Sequence, residues 1–387
     1  MLICGFVFHK LLTIYGIISI WEDILKKGKV FVLYGPRRVG KTTLLNSFLK
    51  KTNLKYKLSS GDNIKIQQLF QSQNFEDLLD YSEGYELIAI DEAQEIANIG
   101  KGLKILVDLN PDLKIIATGS SSFELSSKIG EPLTGRKVTR ILFPVSQIEL
   151  RNIYNRYELK EQLENILIYG SYPEVVTTKD KSGKRELLDE LVQSYLLKDI
   201  LSHGNIRGSS VIYNLLKMLA FQIGSEVSCN ELSNNLGIDT KTVQRYIDLL
   251  EKTFVIISLK GFSRNLRKEI NKKHKYYFWD TGIRNAVISQ FNSIDLRNDI
   301  GQLWENFIIV EHLKKNFSRK GFNNFYFWRT YDRQEIDLVE ERDGQLTGYE
   351  IKWSPNKKHK EPKDWKRSYP GARFEVINNS NYLDFIL

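Results

Sequence analysis

Two cysteines, Cys4 and Cys229, stand in 387 residues. They are too few for a disulfide framework and too far apart for a thiolate metal knuckle, so a reducing compartment, the cytoplasm, is expected. Histidine is nearly as scarce. His9, His203, His274, His312 and His359 show no zinc-ligand spacing. No internal repeat and no low-complexity tract is visible, which excludes solenoid arrays and compositionally biased linkers. The apolar stretch 1–21 is interrupted by His9-Lys10, has no Arg/Lys-rich lead and is followed by no small-residue cleavage site. A membrane span needs about 20 apolar residues, so a buried strand and helix, or an extended start, is expected here. A membrane tether is the lesser alternative.

What is present reads as an ordered chain. Hydrophobic residues make up 42%, aromatics 12% and charged residues 27%, enough apolar material for two or three cored domains. The formal net charge is +9 and the sequence pI about 9.1, an excess that favours a polyanionic partner.

The expected fold class is α/β. Short apolar runs at 30–34, 86–90 and 114–117 alternate with helical spacing at 41–50 and 103–109, the order of a parallel sheet covered on both faces. After about residue 143 the period turns helical. Residues 213–223, 229–236 and 239–252 read as three helices, with Gly237 at a turn and a strand from Val255. That is the order of a winged helix-turn-helix. The last hundred residues read as α+β, with a helix at 303–314, strands at 325–329, 335–340 and 346–353, and an Asp343-Gly344 hairpin turn. The predicted division is 1–145 (with 1–20 an apolar extension), a helical linker or lid at 146–211, the winged helix at 212–279 and the α+β domain at 280–387.

The strongest motif is Gly35-Pro36-Arg37-Arg38-Val39-Gly40-Lys41-Thr42-Thr43, between an apolar strand and a helix. Triphosphate oxygens need several backbone N–H groups in a concave turn, and glycines let the backbone approach. Lys41 would neutralise the β/γ oxygens of ATP, and Thr42 would offer its hydroxyl to Mg²⁺. Some fifty residues on, an apolar run ends in Asp91-Glu92. Asp91 would hold Mg²⁺ through water and Glu92 would polarise the attacking water. A third run ends in Thr118-Gly119-Ser120-Ser121, where Ser120 is a candidate γ-phosphate sensor. Arg136, in Leu133-Thr134-Gly135-Arg136, is a candidate arginine for the γ-phosphate; action within the chain, in a neighbouring subunit, or in structure alone stays open.

Asp337 and Glu350-Ile351-Lys352 fall on neighbouring predicted strands. Two carboxylates that hold Mg²⁺, with a lysine positioning water, are what phosphodiester hydrolysis needs. Charged residues also alternate on exposed strands, so a binding module that does not cut is the alternative. Two basic segments follow. Residues 260–275 hold seven Lys/Arg against Glu269, and 356–367 hold six against Glu361 and Asp364. With Thr240, Lys241, Thr242, Gln244 and Arg245 on the third helix, they make DNA the expected partner.

Taken together the motifs resemble a family of bacterial and archaeal AAA-type P-loop ATPases with a C-terminal restriction-endonuclease-like domain. The carriers are the phosphate loop, Ile90-Asp91-Glu92-Ala93-Gln94, Thr118-Gly119-Ser120-Ser121-Ser122, Leu133-Thr134-Gly135-Arg136, Gly170-Ser171-Tyr172-Pro173-Glu174-Val175, Asp280-Thr281-Gly282 and Glu350-Ile351-Lys352. The resemblance runs from about Trp21 to nearly the end of the chain and leaves the apolar start unexplained. It implies ATP binding, a strand order with the sensor strand between the two nucleotide-binding strands, and Glu305 as a further acid of the C-terminal site. The expected function is a DNA-acting ATPase. The alternative is a nucleotide-dependent regulatory switch that binds a protein partner, with a non-catalytic C-terminal domain; homo-oligomerisation is left open beside either.

Overall fold

The computed structural model describes residues 25–120, 133–196, 209–263, 274–319, 321–356 and 359–387. The apolar start at 1–24, most of the basic segment 260–275 and Lys357-Lys358 lie outside the described residues. Among the described residues no helix is long and apolar enough to cross a membrane. The chain divides into two units, the first built on residues 1–144 and the second on 145–197, 206–251 and 255–387.

In the first unit β1 (Val30–Tyr34), α1 (Lys41–Leu49), β2 (Tyr56–Ser60), α2 (Ile64–Ser72), α3 (Phe75–Ser82), β3 (Leu87–Asp91), α4 (Ile99–Leu109), β4 (Lys114–Gly119) and β5 (Lys137–Ile141) follow in order. The five strands pair in parallel as β2-β3-β4-β1-β5. The three central strands are continuous apolar runs because helices cover both faces of a parallel sheet. Val30, Val32, Ile88, Ile90, Ile115 and Ala117 are buried with Leu103 and Leu106 of α4. At the sheet edge, β2 is Tyr-Lys-Leu-Ser-Ser and only half buried, as an edge strand allows.

The second unit begins with α5 (Gln147–Leu150), α6 (Arg156–Tyr169), α7 (Pro173–Thr177), α8 (Lys181–Glu190), α9 (Ser209–Phe221), β6 (Glu226–Val227), α10 (Cys229–Leu236) and α11 (Thr240–Lys252). It continues with β7 (Ile256–Gly261), β8 (His274–Phe278), α12 (Thr281–Val287), α13 (Ile300–Ser318), β9 (Asn324–Arg329), β10 (Glu335–Arg342), β11 (Gln345–Ile351), α14 (Lys363–Ser368), β12 (Arg373–Ile377) and α15 (Tyr382–Ile386). One sheet, ordered β12-β11-β10-β9-β7-β8-β6, runs through the whole unit. It crosses the boundary that the sequence reading draws at residue 279, because β7 pairs in parallel with β9. The β10–β11 hairpin closes on Asp343-Gly344, both with positive φ of 49° and 79°, which the two-residue turn requires.

Two motifs without evident chemistry have a structural task. Helix α6 ends with carbonyls that have no helical partner. Thr281 Oγ1 donates to Ile166 O at 2.8 Å, and Asn285 Nδ2 donates to Leu167 O and Ile168 O at 3.0 and 2.8 Å. Asp280 accepts from Ser171 N–H at 2.7 Å and caps α12 through Ile283 N–H at 3.0 Å. Burial pushes the Asp280 carboxyl above its usual range, against the pull of these N–H donors. Beside it, Glu311 accepts from Gln147 N–H at 2.6 Å and from Lys314 at 2.9 Å, both charges buried.

Candidate functional site

The C-terminal end of β1 delivers the chain into the glycine-rich turn. Gly35 packs so tightly that a Cβ there would press into the carbonyl oxygen of Leu142, so no side chain fits. Gly40 and Arg38 take positive φ of 96° and 63°. Helix α1 then opens with Lys41, Thr42 and Thr43, and no side chain caps it. Its first N–H groups and the positive end of its dipole are therefore directed at an anion site. Lys41, 6% exposed, donates to Gly35 O at 3.0 Å and Pro36 O at 2.8 Å, which holds its ammonium at the loop.

Strand β4 lies between β1 and β3, so the acidic strand end opens at the same edge of the sheet, where parallel sheets place their ligands. Asp91 accepts from the Thr118 hydroxyl of β4. Glu92 is held in the left-handed region at φ 50°, a conformation that non-glycine residues keep only under local constraint. The backbone around it is held by Gly61 N–H to Asp91 O at 2.7 Å and Glu95 N–H to Glu92 O at 3.0 Å, and the Gln94 amide nitrogen donates to the Glu92 carboxylate while its oxygen accepts from Ser120 N–H at 3.2 Å. Sequence reasoning missed both Gln94 and Thr118. The amide two residues past the acidic pair was the available signal.

Arg136 is not brought to this edge. Its carbonyl accepts from Val30 N–H at 2.7 Å, at the start of β1, and its guanidinium pairs with Asp108 of α4 at 2.6 Å. Five strand residues, about 16 Å, separate that end from the phosphate loop, so contact with a nucleotide bound by the same chain is excluded. The segment 133–136 precedes a parallel strand, and a residue before such a strand lies at the end away from the ligand loops.

A second cluster forms in the other unit. The β10–β11 register pairs Leu338 with Tyr349, so the next positions outward are Asp337 and Glu350. Lys352 Nζ lies 3.0 Å from Asp337 and 2.8 Å from Glu350, and Ile351 N–H donates to Asp337 at 2.8 Å. Glu305 of α13 accepts from Tyr277 OH at 2.7 Å. Lys275, 2% exposed, reaches Glu335 at 2.5 Å and Glu305 at 3.6 Å. Burial, then the Asp337 charge, pushes Glu305 up to about 7 against the pull of Lys275. Burial and Asp337 also raise Glu350. For Lys275 and Lys352 burial works the other way, but the surrounding carboxylates outweigh it and hold both ammonium groups charged. Lys275 and Glu335 were missed as site residues. A lysine leading the apolar run Tyr276-Tyr277-Phe278 was the signal for the first. Among the described residues no group of three or more His, Cys, Asp and Glu side chains stands ready to hold a metal ion.

Strand directions set what surrounds this cluster. The C-terminal ends of β7, β9 and β11 and the N-terminal ends of β8 and β10 share one end of the sheet. The described flanks of both basic segments therefore leave the sheet at the carboxylate end. On α11 the buried face is Val243, Tyr246, Ile247 and Leu250, so Lys241, Gln244 and Arg245 face outward.

Comparisons with known proteins bear on the fold of the first unit. Residues 27–151 match the family model of an AAA domain. The first unit has a P-loop ATPase fold. Two further models, each a domain of unknown function (DUF8612 and DUF4143), match residues 160–294 and 300–382, so the AAA match ends before the carboxylate cluster begins. An uncharacterized protein of Mycobacterium tuberculosis is 27% identical over 332 residues, 85% of this chain and 71% of that one. An uncharacterized protein of Methanocaldococcus jannaschii is 24% identical over 380 residues, 92% and 82% of the two chains. Among solved structures, the Walker-type ATPase of Pyrococcus abyssi is 18% identical, covering 67% of this chain and 91% of that one at a TM-score of 0.45. The replication initiator DnaA bound to AMPPCP and single-stranded DNA is 15% identical, covering 62% and 86% at a TM-score of 0.31. In the P-loop unit the matched segment holds every residue of the phosphate loop and the acidic strand end.

Proposed function

We propose that the chain binds and hydrolyses ATP at the phosphate loop and acts on DNA through its second unit. The carrying observation is the strand order β3-β4-β1, which opens the phosphate loop, Asp91-Glu92 and Ser120 at one edge. Lys41 neutralises the β/γ oxygens. Thr42 and Asp91 supply the hydroxyl and carboxylate oxygens that suit Mg²⁺, which when bound offsets the charge that develops on the transferred phosphoryl group. Glu92 orients the attacking water, and Gln94 positions Glu92. Gln94→Ala is expected to lower single-turnover hydrolysis roughly tenfold while ATP affinity, followed with a fluorescent nucleotide, stays within about twofold. An equal loss in affinity would assign Gln94 to the folding of the loop.

DNA is the partner because exposed Lys260 and the described part of 356–367 leave the sheet at the carboxylate end and α11 turns Lys241, Gln244 and Arg245 outward, as a recognition helix would. Glu305, Asp337 and Glu350 carry hard oxygen atoms, and burial first, then the Asp337 charge, raises Glu305. Asp337 and Glu350 are the pair that would hold Mg²⁺, which when bound would polarise a phosphodiester, with Lys352 beside them to position water. A second reading has its own observation. The Lys352 ammonium stands between Asp337 and Glu350, which suits a unit that binds and does not cut, in a nucleotide-dependent switch. Plasmid and linear DNA incubated with Mg²⁺, ATP and either the wild type or Asp337→Ala separates the two. Cleavage by the wild type that drops at least about 10²-fold in the variant supports a nuclease. No cleavage by either protein across salt and metal favours the switch.

A further inference from the structure

The β9–β10 turn, residues 330–334, stands beside the carboxylate cluster. Thr330 N–H donates to Gln334 O at 2.9 Å, and Gln334 N–H returns to Thr330 Oγ1 at 3.1 Å. Gln334 also ties the turn to α14. Its Nε2 donates to Asp364 Oδ2 at 2.7 Å, and Asp364 N–H donates to Gln334 Oε1 at 3.1 Å. Helix α14 is itself anchored by Trp365, fully buried with its ring 5.4 Å from that of Trp328. The turn is thus fixed at both ends.

At its tip Tyr331 is 107% exposed, so both faces of its ring are open to solvent. An aromatic ring on a rigid support loses little conformational entropy when something stacks on it. Its neighbours bear the charge that a nucleic-acid backbone needs. Arg333 is exposed on the same turn, and Lys363, Lys366 and Arg367 are exposed on α14. The nearby acids Glu361 and Asp364 are paired with Lys366 at 3.6 Å and Arg367 at 2.9 Å, so these four charges offset one another, and Arg333 and Lys363 stand against Asp332 as the remaining exposed charges. The turn leaves the sheet at the end that bears Asp337, Glu350 and Lys352.

We propose that Tyr331 is a stacking platform for an unpaired base of single-stranded DNA held beside the carboxylate cluster. Inside a duplex each base is already stacked on its neighbours, so the ring has nothing to bind without unstacking them. A single strand offers its base faces freely while its phosphates meet the arginine and lysines. The proposal rests on the DNA reading above and adds the strand state of the DNA.

The test uses the full chain and two fluorescein-labelled probes, a mixed-sequence single strand and its duplex, titrated by anisotropy at one stated salt concentration. The wild type is expected to bind the single strand more tightly. Tyr331→Ala is expected to lose about tenfold on the single strand and less than about twofold on the duplex, while Tyr331→Trp keeps the affinity and shows quenched indole fluorescence on binding. Equal single-strand affinity in Tyr331→Ala and wild type would overturn the stacking role and leave DNA binding intact. Binding of neither probe by the wild type would overturn the DNA reading and the stacking role together. Because the side chain touches no core, an unfolded variant does not confuse the result.

Discussion

Lys41→Ala is expected to lower ATP hydrolysis by about 10²–10³-fold or more, to the background of the assay. The lysine is 6% exposed and held by Gly35 O and Pro36 O, so its ammonium has a fixed place at the loop. Without it the β/γ oxygens lose the buried ammonium that the loop holds in place. Glu92→Gln separates binding from chemistry in the same experiment. It leaves the loop untouched, so nucleotide binding persists while turnover falls. If Lys41→Ala hydrolyses ATP at the wild-type rate, the loop is not the reaction site.

The largest expected effect on stability is at Glu311. It accepts from Gln147 N–H and pairs with Lys314, and both side chains are less than 5% exposed. Glu311→Ala leaves the Lys314 ammonium buried without its carboxylate and the Gln147 N–H without an acceptor. Removing one member of a buried pair costs about 3–5 kcal/mol, a large fraction of the 5–15 kcal/mol typical of a folded protein. For a unit of this size that is a Tm loss on the order of 10 °C, readable by calorimetry. A loss below about 2 °C would mean that water or another carboxylate compensates. Asp280 and Glu149 stand close enough to act on these charges, so a Glu311→Ala, Lys314→Met double variant is expected to recover part of the loss.

The P-loop fold was legible because its signals are local. Two apolar runs, a glycine-rich turn and an acidic strand end carry it, and hydrophobic continuity marks strands buried on both faces. Edge strand β2 was not legible, since Tyr-Lys-Leu-Ser-Ser is half exposed and has no such run. The position of Arg136 was lost for a different reason. A glycine beside an arginine says that a loop is loose but not which end of the sheet it occupies, and that depends on β5 pairing with β1. In the second unit the reading named Glu305, Asp337, Glu350 and Lys352, and the fold brings all four together. The Asp-Gly turn fixes the hairpin register, and the register fixes which carboxylates face each other. Lys275 was read as one more cation of a basic segment, whereas it is buried against Glu335. Its partner comes from a strand sixty residues on, so no local pattern could reveal the pair.

The most direct measurement is the rate of ATP hydrolysis by the full chain with Mg²⁺, with and without DNA, over a range of salt. A Lys41-dependent rate that DNA stimulates several-fold, with the stimulation fading as salt rises, is what the account predicts. Hydrolysis that is absent, or identical with and without DNA at every salt concentration, would contradict it.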